Sequence, residues 1–548
     1  DRAFYGCTAL TQINIPASLE YVGQAAFAFA TNLNTVSFGA TTLTTLSKDM
    51  FMGCTALTSF TVPKSVTTFD GNPFTDCTRL TLITAEQGHE TFAGKVIDGT
   101  QRMLVTMDET EIVLFPTGKT GSYTIPVSIM KVGDYAFYGT RLDAVIVPDY
   151  AGTFIIGDYS FANSLTLYTV QLAERVTEIG EGAFYADAKL TNLSILNENN
   201  ELSIGDYAFA KTALKAITVP KGVVLIGDHA FDSIYTLASV SFADGTSPLE
   251  IGAYAFAGTA VTALSFPSRL THIGKGAFSW NTGLASISWG AGEQPLVIDD
   301  YAFENCHSLV SLQLPERLVT LGIYAFASNL RLEEVYINGT DPVIGRRVFY
   351  LNSRLRQATI SRNVNVIGDS MFQYNSLLSD VIIEPRENPL VIMDLAFQGC
   401  SSLTEFTVDA MISEISADAF SFSALSVLNF EEGIDLSIGG DAFRETQLVS
   451  LVIPYRVKEI GGFAFAYNEK LTEIEFASGL EIEIGNYAFA GIGVSGGNNV
   501  DITIPAGISY IGEYAFADIP GLKSVVFQGG NDSQLTAIGE GAFENARG

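Results

Sequence analysis

A six-residue motif that returns every twenty-odd residues constrains this chain more than any other feature. It reads IGDYAF at Ile204–Phe209, VGDYAF at Val132–Phe137 and IGEYAF at Ile511–Phe516. With the last phenylalanine as a marker, copies end at Phe4, Phe27, Phe51, Phe74, Phe137, Phe161, Phe184, Phe209, Phe231, Phe256, Phe278, Phe303, Phe326, Phe349, Phe372, Phe397, Phe420, Phe443, Phe465, Phe489, Phe516 and Phe543. Apart from the step from Phe74 to Phe137, the spacing runs from 22 residues (Phe209 to Phe231) to 27 (Phe516 to Phe543). Such a period predicts a solenoid of stacked coils.

Each repeat divides into two β-like halves. The first half follows the pattern L-x-x-L-x-L with isoleucine or valine at the later positions and a final proline, as at Leu10–Pro16 and Leu214–Pro220. Its last apolar positions alternate as in a half-buried strand. A second short segment such as Val176–Gly180 follows on the opposite side. The motif itself predicts one short helical turn, with Asp206 as its N-cap and Gly205 at a tight corner. We therefore expect a leucine-rich-repeat-like repeat solenoid, β-rich with short helical turns, and curved or rod-shaped.

The combined patterns L-x-x-V-x-I-P, V-x-x-I-G and A-F resemble the BspA-like, or Treponema-type, leucine-rich repeat family over nearly the whole chain. That resemblance implies a surface-exposed or secreted protein of bacteria or parasitic protists. It also implies a link to adhesion and to the binding of host proteins. It does not identify the ligand.

The wide step between markers predicts an island at residues 84–121, between leucine-rich repeats at 1–83 and 122–548. Three segments in it alternate like short strands, Lys95–Gly99, Met103–Met107 and Ile112–Phe115, which predicts a β-hairpin or a three-stranded patch. The PTGK sequence at Pro116–Lys119 is similar to an insert of the family. The island can be an ornament on the coils or a functional loop. Neither chain end resembles a capping repeat, so we expect a segment of a longer protein or a mature fragment.

The charge balance argues against several kinds of partner. Thirty Lys and Arg against sixty Asp and Glu give a formal net charge of −30, which repels phosphate backbones and excludes nucleic acid as the expected partner. The same charge keeps an apolar-rich solenoid in solution. No run of eighteen apolar residues occurs, so we predict no membrane insertion within this segment.

One position three residues after the marker accepts either cysteine or asparagine. The cysteines there are Cys7, Cys54, Cys77, Cys306 and Cys400. This predicts an inward-facing position where a small side chain packs or bonds to backbone. Cys54 and Cys77 lie in adjacent repeats, so a disulfide between them is conceivable, although buried free thiols are the favoured interpretation.

From Phe184 onward, short connections alternate with turn-rich ones. The turn-rich loops are Ala243–Pro248, Gly290–Pro295 and Asn338–Pro342. The alternation can record a drifted duplication of two repeats, or it can set a ridge of loops along one edge for lateral contacts.

The outward strand positions define the predicted binding face for a protein or glycan. Most of these positions are small and neutral, as at Thr218 and Ser239. One set is mostly charged, and it predicts contact with a basic partner; the alternative is that it is solvated surface charge. The set comprises Glu333, Glu334, Tyr336, Arg356, Gln357, Glu405, Glu473 and Glu475. Three N-x-S/T sequons offer glycosylation sites. Asn192 lies in a strand, whereas Asn338 and Asn531 lie in loops.

No sequence motif points to catalysis. The four histidines are scattered, and no H-E-x-x-H, P-loop or C-x-x-C arrangement occurs. The recurring aspartates lack the clustered spacing that a calcium site needs. We predict a protein that is not an enzyme and that uses neither cofactor nor metal. The favoured function is an extracellular or cell-surface protein-interaction or adhesion solenoid. The alternative is a structural subunit that assembles through its ends and edge loops into an extracellular filament or surface layer.

Overall fold

The computed structural model describes residues 1–495 and 500–546. The chain forms two compact units, Asp1–Phe278 and Ser279–Gly548. Each unit is a stack of coils. A coil contributes a front strand from the L-x-x-L-x-L pattern, and most coils add a back strand just before the marker phenylalanine. The predicted β-rich, leucine-rich-repeat-like solenoid is confirmed.

The first unit contains twenty-three strands. They are β1 (Gln12–Ile15), β2 (Thr35–Phe38), β3 (Thr45–Ser47), β4 (Ser59–Val62), β5 (Thr68–Asp70), β6 (Leu82–Ala85), β7 (Phe92–Asp98), β8 (Gln101–Thr106), β9 (Glu111–Leu114), β10 (Thr120–Thr124), β11 (Lys131–Val132), β12 (Arg141–Val147), β13 (Phe154–Ile156), β14 (Thr169–Leu172), β15 (Val176–Ile179), β16 (Asn192–Ile195), β17 (Leu202–Ile204), β18 (Ala216–Val219), β19 (Val223–Ile226), β20 (Ser239–Phe242), β21 (Leu249–Ile251), β22 (Ala263–Phe266) and β23 (Leu270–Ile273).

The described part of the second unit contains β24 to β45. They are β24 (Ser286–Trp289), β25 (Leu296–Ile298), β26 (Ser311–Gln313), β27 (Leu318–Leu321), β28 (Glu334–Ile337), β29 (Val343–Ile344), β30 (Gln357–Ile360), β31 (Val366–Ile367), β32 (Asp380–Ile383), β33 (Leu390–Ile392), β34 (Glu405–Val408), β35 (Ile412–Ile415), β36 (Val427–Phe430), β37 (Leu436–Ile438), β38 (Ser450–Ile453), β39 (Val457–Ile460), β40 (Glu473–Phe476), β41 (Ile482–Ile484), β42 (Val500–Ile504), β43 (Ile508–Ile511), β44 (Leu522–Phe527) and β45 (Ala537–Ile538).

Strands of successive coils pair in parallel within each unit. In the first unit the back strands run in the order β23-β21-β19-β17-β15-β13-β11, and in the second β31-β33-β35-β37-β39-β41-β43-β45. The front strands form shorter sheets, among them β10-β12-β14-β16 in the first unit, and β26-β28-β30-β32 and β38-β40-β42-β44 in the second. On β18, Ile217 and Val219 point into the core whereas Ala216 and Thr218 face outward. This alternation follows from the two-residue period of a strand.

The stretch between Phe74 and Phe137 adds three antiparallel strands to the first unit. β7 pairs with β8, and β8 pairs with β9. On their other sides β8 meets β6 in parallel, through Leu82 and Arg102, and β9 meets β11. The segment is therefore hydrogen-bonded into the main sheet of this unit.

A column of stacked phenylalanine rings runs through the core. The Phe209 ring lies 5.1 Å from that of Phe184 and 5.2 Å from that of Phe231, and the planes are nearly parallel. Phe115 also belongs to the column, because its ring stacks on Phe137 at 4.3 Å. Sequence reading missed Phe115 as a marker because no A-F motif surrounds it. Offset stacking adds to the burial of each ring, so within each unit the column joins each coil to the next.

The motif that ends at the marker is a turn, so the predicted short helical turn is wrong. Tyr207 and Lys211, on either side of Phe209, have φ of +55° and +59°, in the left-handed region. Two left-handed residues so close together interrupt a right-handed helix. The backbone bonds instead to the next coil, where Ala230 O accepts from Phe209 N at 2.8 Å. In the described ranges, the single helix is a 3-10 helix at Gly530–Asp532.

The aspartates of the motif cap the neighbouring coil, which corrects the predicted N-cap role within their own turn. The Oδ1 of Asp206 accepts a hydrogen bond from the backbone N of Asp228 at 2.7 Å, and Asp228 accepts in turn from Ala253 N at 2.6 Å. Gly205 is required for close approach, because a Cβ there would lie 2.8 Å from Ile179 O in the preceding coil. The capping carboxylate of Asp206 and the absence of a side chain at Gly205 both permit the close contact between neighbouring coils.

Aromatic rings cover glycines at the second left-handed position of the turn. Gly399 has a φ of +71°, and a Cβ there would lie 2.6 Å from Cδ1 of Tyr374 in the preceding coil. Gly258 holds the same position with a φ of +64°, but the nearest atom, in Tyr235, would be 3.9 Å away. Substitutions at Gly399 and Gly258 therefore allow the cost of backbone strain to be measured separately from the cost of steric overlap.

We expect Gly399→Ala to destabilise the chain more than Gly258→Ala. Both variants carry the left-handed penalty of roughly 1–2 kcal/mol. Only Gly399→Ala must also displace a ring, which we expect to add at least about 1 kcal/mol. Thermal unfolding and local hydrogen exchange measure the difference, and equal losses in the two variants would contradict the ring contact.

The position three residues after the marker faces inward, as predicted, and bonds to backbone. Asn329 Nδ2 donates to Phe326 O at 2.8 Å, and Cys54 Sγ donates to Phe27 O at 3.3 Å. The five cysteines are free thiols, so Cys54 and Cys77 form no disulfide. Burial raises the pKa of the Cys54 thiol to about 12. Cys7 differs because it lies exposed in the first coil.

Asp187 holds this inward position in one coil and is fully buried. Its Oδ1 accepts from Ser164 N at 2.7 Å, whereas its Oδ2 has no hydrogen-bond partner in the described structure. Burial raises the pKa of the Asp187 carboxyl well above its ordinary value, and the bond from Ser164 only partly opposes this. The charged form of this carboxyl is therefore disfavoured in the folded chain.

We expect Asp187→Asn to stabilise the chain more as the pH rises. A carboxyl whose pKa is raised by folding costs nothing below its unfolded pKa of about 4, and its penalty grows above that pH. The asparagine amide can also donate to a backbone carbonyl, a gain of about 1 kcal/mol. Thermal unfolding at several pH values measures the effect. Asp143→Asn, at an exposed carboxylate of β12, is the control, and a matching pH dependence in both variants would contradict the assignment.

Buried arginines support the turn-rich loops. Arg269 lies in the short connection between β22 and β23, is 4 % exposed, and donates from its guanidinium to four backbone carbonyls. The acceptors are Pro220 O, Val223 O, Ala243 O and Ser247 O. In the second unit Arg456 bonds to three carbonyls of a short connection two coils earlier, those of Asp409, Ala410 and Ile412. The alternation of short and turn-rich connections thus accommodates an arginine side chain inside the loop of the preceding coil.

Candidate functional site: the outward face of the front strands

The outward face of the front strands carries side chains in straight rows. Successive front strands pair without offset over most of their length, so residues about 23 apart lie side by side. Paired strands lie about 4.8 Å apart. Within each of the short front sheets, the rows therefore hold side chains at a fixed spacing on a hydrogen-bonded backbone.

In the first unit this face is mainly neutral. Thr169 lies beside Asn192, and Gln171 beside Ser194. Ser241 donates to Thr218 at 3.0 Å. These short hydroxyl and amide side chains bond partly to one another, which makes the row a weak source of specificity.

A groove of about 790 Å³ lies at the ends of front strands in the first unit. Phe38 and Pro63 contribute apolar surface, and Lys64, Glu86 and Glu90 contribute charge. Glu86 already accepts a hydrogen bond from the backbone of Lys64 at 3.0 Å. No feature of this groove selects one kind of ligand.

In the second unit, the structure brings several of the predicted site residues together. Glu334 on β28 lies beside Gln357 on β30, which lies beside Asp380 on β32. Glu333 and Arg356 precede these strands and are linked through the backbone, because Arg356 N donates to Glu333 O at 2.8 Å. An acidic row therefore crosses three strands.

Tyr336 lies in the next row and is held by a carboxylate. Its hydroxyl donates to Glu384 Oε1 at 3.0 Å. Burial and this bond to Glu384 raise the pKa of the Tyr336 phenol. Sequence reading missed Glu384 and Asp380, although adding one period of 23 residues to Gln357 points to Asp380.

The remaining predicted carboxylates lie on other front strands. Glu405 is on β34, where it lies beside Val427 and accepts a hydrogen bond from Asn429 at 3.1 Å. Glu473 and Glu475 are on β40, and Glu473 lies beside Asp501 of β42. Asp501 was not predicted. The eight predicted residues thus lie on four strands, β28, β30, β34 and β40, or directly before them.

The three sequons differ in accessibility. Asn192 on β16 and Asn531 in the 3-10 helix are exposed. Asn338 is half-buried, and its Oδ1 accepts from Gly339 N and from Ser361 Oγ. Glycosylation at these positions remains a prediction.

The histidines and acids do not assemble into a metal site in the described ranges. No group of three His, Cys, Asp or Glu there is placed to hold a metal ion. His229 stacks on Tyr207 at 4.7 Å and faces Asp232, and His89 is buried against Val66 O. Within the same ranges, no helix has the length and apolarity that a membrane crossing needs.

Parallel coils of two short strands, built on a leucine pattern around an inward phenylalanine, define a leucine-rich-repeat solenoid. The chain belongs to the family described as BspA type leucine rich repeat region. The family model matches six times, over residues 1–110, 114–203, 202–294, 291–390, 380–493 and 436–547. The resemblance in sequence is thereby confirmed. Leucine-rich-repeat proteins are generally non-catalytic scaffolds of protein interaction, and this family is typical of surface proteins.

Several solved structures are similar to this chain at low sequence identity. A leucine-rich repeat protein from Bacteroides ovatus is 20 % identical, with a TM-score of 0.48, covering 71 % of this chain and 98 % of its own. A leucine rich cell surface protein from Faecalibacterium prausnitzii is 23 % identical, with a TM-score of 0.37 and coverages of 70 % and 95 %. The pneumococcal vaccine antigen PcpA is 21 % identical, with a TM-score of 0.27 and coverages of 69 % and 68 %. A comparison with curated proteins finds no match.

Proposed function

We propose that this chain is an extracellular or cell-surface interaction module that binds a partner protein through the outward face of its front strands. The single observation that carries the proposal is the row Glu334, Gln357 and Asp380, held side by side on three hydrogen-bonded strands. Family membership supports the location and the non-catalytic role.

The row has the properties of a prepared binding surface. Glu334 and Asp380 are exposed, and in the described part of the chain neither forms an ion pair with a lysine or arginine. Because the strands hold the backbone in place, a partner that binds here orders few further groups. Binding therefore loses less conformational entropy than binding to a mobile loop.

The test compares the whole chain with two double variants on arrays of extracellular proteins and glycans. Glu334→Gln with Asp380→Asn removes two charges from the row. Glu459→Gln with Glu483→Gln removes two exposed charges from back strands β39 and β41. We expect the first variant to lose at least about fivefold in affinity for a protein partner, and the control to lose little.

Two results would contradict the proposal. One is retention of glycans alone by the whole chain, and the other is equal binding by both double variants and the unchanged protein. Light scattering at each concentration used distinguishes binding from self-assembly, since a filament subunit would gain mass as its concentration rises.

A further inference from the structure

Three valines are exposed on adjacent front strands of the second unit. Val427 on β36 is 45 % exposed, Val449 directly before β38 is 50 % exposed, and Val452 on β38 is 53 % exposed. β38 lies next to β36. A single exposed valine is ordinary, but three on neighbouring strands form a local apolar area on an otherwise polar face.

Carboxylates flank this apolar area on both sides. Glu405 lies beside Val427 on one side, and Glu475 lies beside Val452 on the other. Glu473 lies beside Ser450 in the adjacent row. The strands of each pair, β34 with β36 and β38 with β40, lie about 4.8 Å apart. The valines therefore lie between negative side chains, and one extended partner segment can reach both.

The negative charge on this surface has no internal cation. The segments Thr404–Val408, Ser426–Phe430, Val449–Ile453 and Thr472–Phe476 contain neither lysine nor arginine. In the described structure, the polar contact of Glu405 is with Asn429, and none of Glu405, Glu473 and Glu475 forms an ion pair. Elsewhere in the same unit Arg444 forms ion pairs with Asp441 and Glu445. The lack of ion pairs on this surface is therefore not explained by the composition of the unit alone.

We infer that this surface, formed by Val427, Val449, Val452, Glu405, Glu473 and Glu475, docks an extended basic segment of a partner polypeptide in which lysine or arginine alternates with apolar side chains. The inference rests on the proposed function and names the chemistry of the partner. Basic groups would meet the carboxylates while apolar groups cover the valines, so both features of the surface are used.

Other occupants fit the surface less well. An anionic membrane surface would be repelled by the carboxylates. A nucleic acid would be repelled for the same reason. A glycan is usually bound by polar groups and aromatic faces, whereas the apolar side chains here are valines. The charge pattern therefore selects a cationic polypeptide.

The test uses the whole chain and three fluorescent synthetic peptides of equal length, with lysine alternating with valine, lysine with glycine, and glutamate with valine. We expect the lysine-valine peptide to bind most tightly, measured by fluorescence anisotropy. Its binding should weaken when salt rises from about 50 mM to about 500 mM, because these charges are exposed. We expect Glu473→Gln with Glu475→Gln, and separately Val449→Ser with Val452→Ser, to weaken it by at least about fivefold.

Glu459→Gln with Glu483→Gln is the matched control. It removes the same amount of charge from back strands β39 and β41, away from this surface, and should leave the peptide affinity unchanged. Circular dichroism and thermal unfolding establish that the variants are folded. The inference is overturned if the three peptides bind alike, if none binds, or if the control weakens binding as much as Glu473→Gln with Glu475→Gln. A partner protein whose binding is lost only in Glu334→Gln with Asp380→Asn would support the proposed function. It would also show that this partner contacts the row of Glu334 and Asp380 and not the surface around the valines.

Discussion

Replacement of Phe209 by alanine is expected to lower the free energy of unfolding around its coil by about 3–5 kcal/mol. The ring is fully buried and stacks on Phe184 and Phe231, so its loss opens a cavity and removes ring contacts to two neighbouring coils at once. Each coil of a solenoid contacts mainly its neighbours. The damage should therefore concentrate in β17 and β18, which flank the ring in sequence, with less effect on distant strands.

Hydrogen exchange measured strand by strand checks this expectation, together with denaturant unfolding. The matched control is Phe422→Ala, which deletes the same ring from a side chain that is 49 % exposed. We expect the control to cost less than about 1 kcal/mol. Equal effects of the two substitutions, or a loss of protection spread evenly along the chain, would show that the ring column does not hold the coils together.

Replacement of Arg269 by alanine is expected to cost a similar amount, about 3–5 kcal/mol, for a different reason. The guanidinium satisfies four backbone carbonyls of two preceding coils, and truncation would leave buried acceptors without a donor. Burial lowers the pKa of Arg269 from its ordinary value, but the group stays charged in the neutral range because that value is so high. The loop at Ala243–Pro248 should lose its protection from hydrogen exchange.

Two further variants test the geometry of this contact. Arg269→Lys keeps the charge but offers a single point of donation, so we expect it to recover only part of the loss. Arg362→Ala removes an exposed guanidinium from a corresponding connection and should change little. Full recovery by lysine, or an unchanged loop in Arg269→Ala, would refute the supporting role of the arginine.

The prediction of the core from sequence succeeded where a local pattern repeats. The L-x-x-L-x-L segments became front strands, and the markers became a ring column, because an apolar side chain at a strand period must face inward wherever the chain places it. The inward position of the Cys and Asn residues was predicted on the same basis, from its constant distance to the marker. These features need no knowledge of which coil contacts which.

The prediction failed where a residue bonds to another coil. Asp206 sits at the start of a helix-like motif, so its local reading was an N-cap, yet it bonds to the backbone of Asp228 one coil later. Phe115 escaped notice because its neighbours do not form the motif, although it stacks on Phe137. The buried role of Arg269 was also invisible, since an isolated arginine in a connection normally lies on the surface.

The candidate site was likewise predicted in part from local patterns and in part only from the structure. The sequence placed Glu333, Glu334, Glu405, Glu473 and Glu475 on the outward face, but it did not predict Asp380, Glu384 or Asp501 beside them. Which residues share a row depends on the pairing of each strand with the next, and insertions in the connections change the count between coils. The valines next to Glu405 and Glu475 acquired meaning only once that pairing was known.

The sequence by itself determined the period, the strands, the inward and outward sides of each strand, and membership of the family. These depend on hydrophobic patterns within a few residues, and burial acts on each coil in the same way. The tertiary structure alone decided the left-handed turns, the caps and arginines that join coils, and the rows on the front face. Those contacts join residues 22 or more positions apart, and their energies depend on the register between coils, which no local pattern encodes.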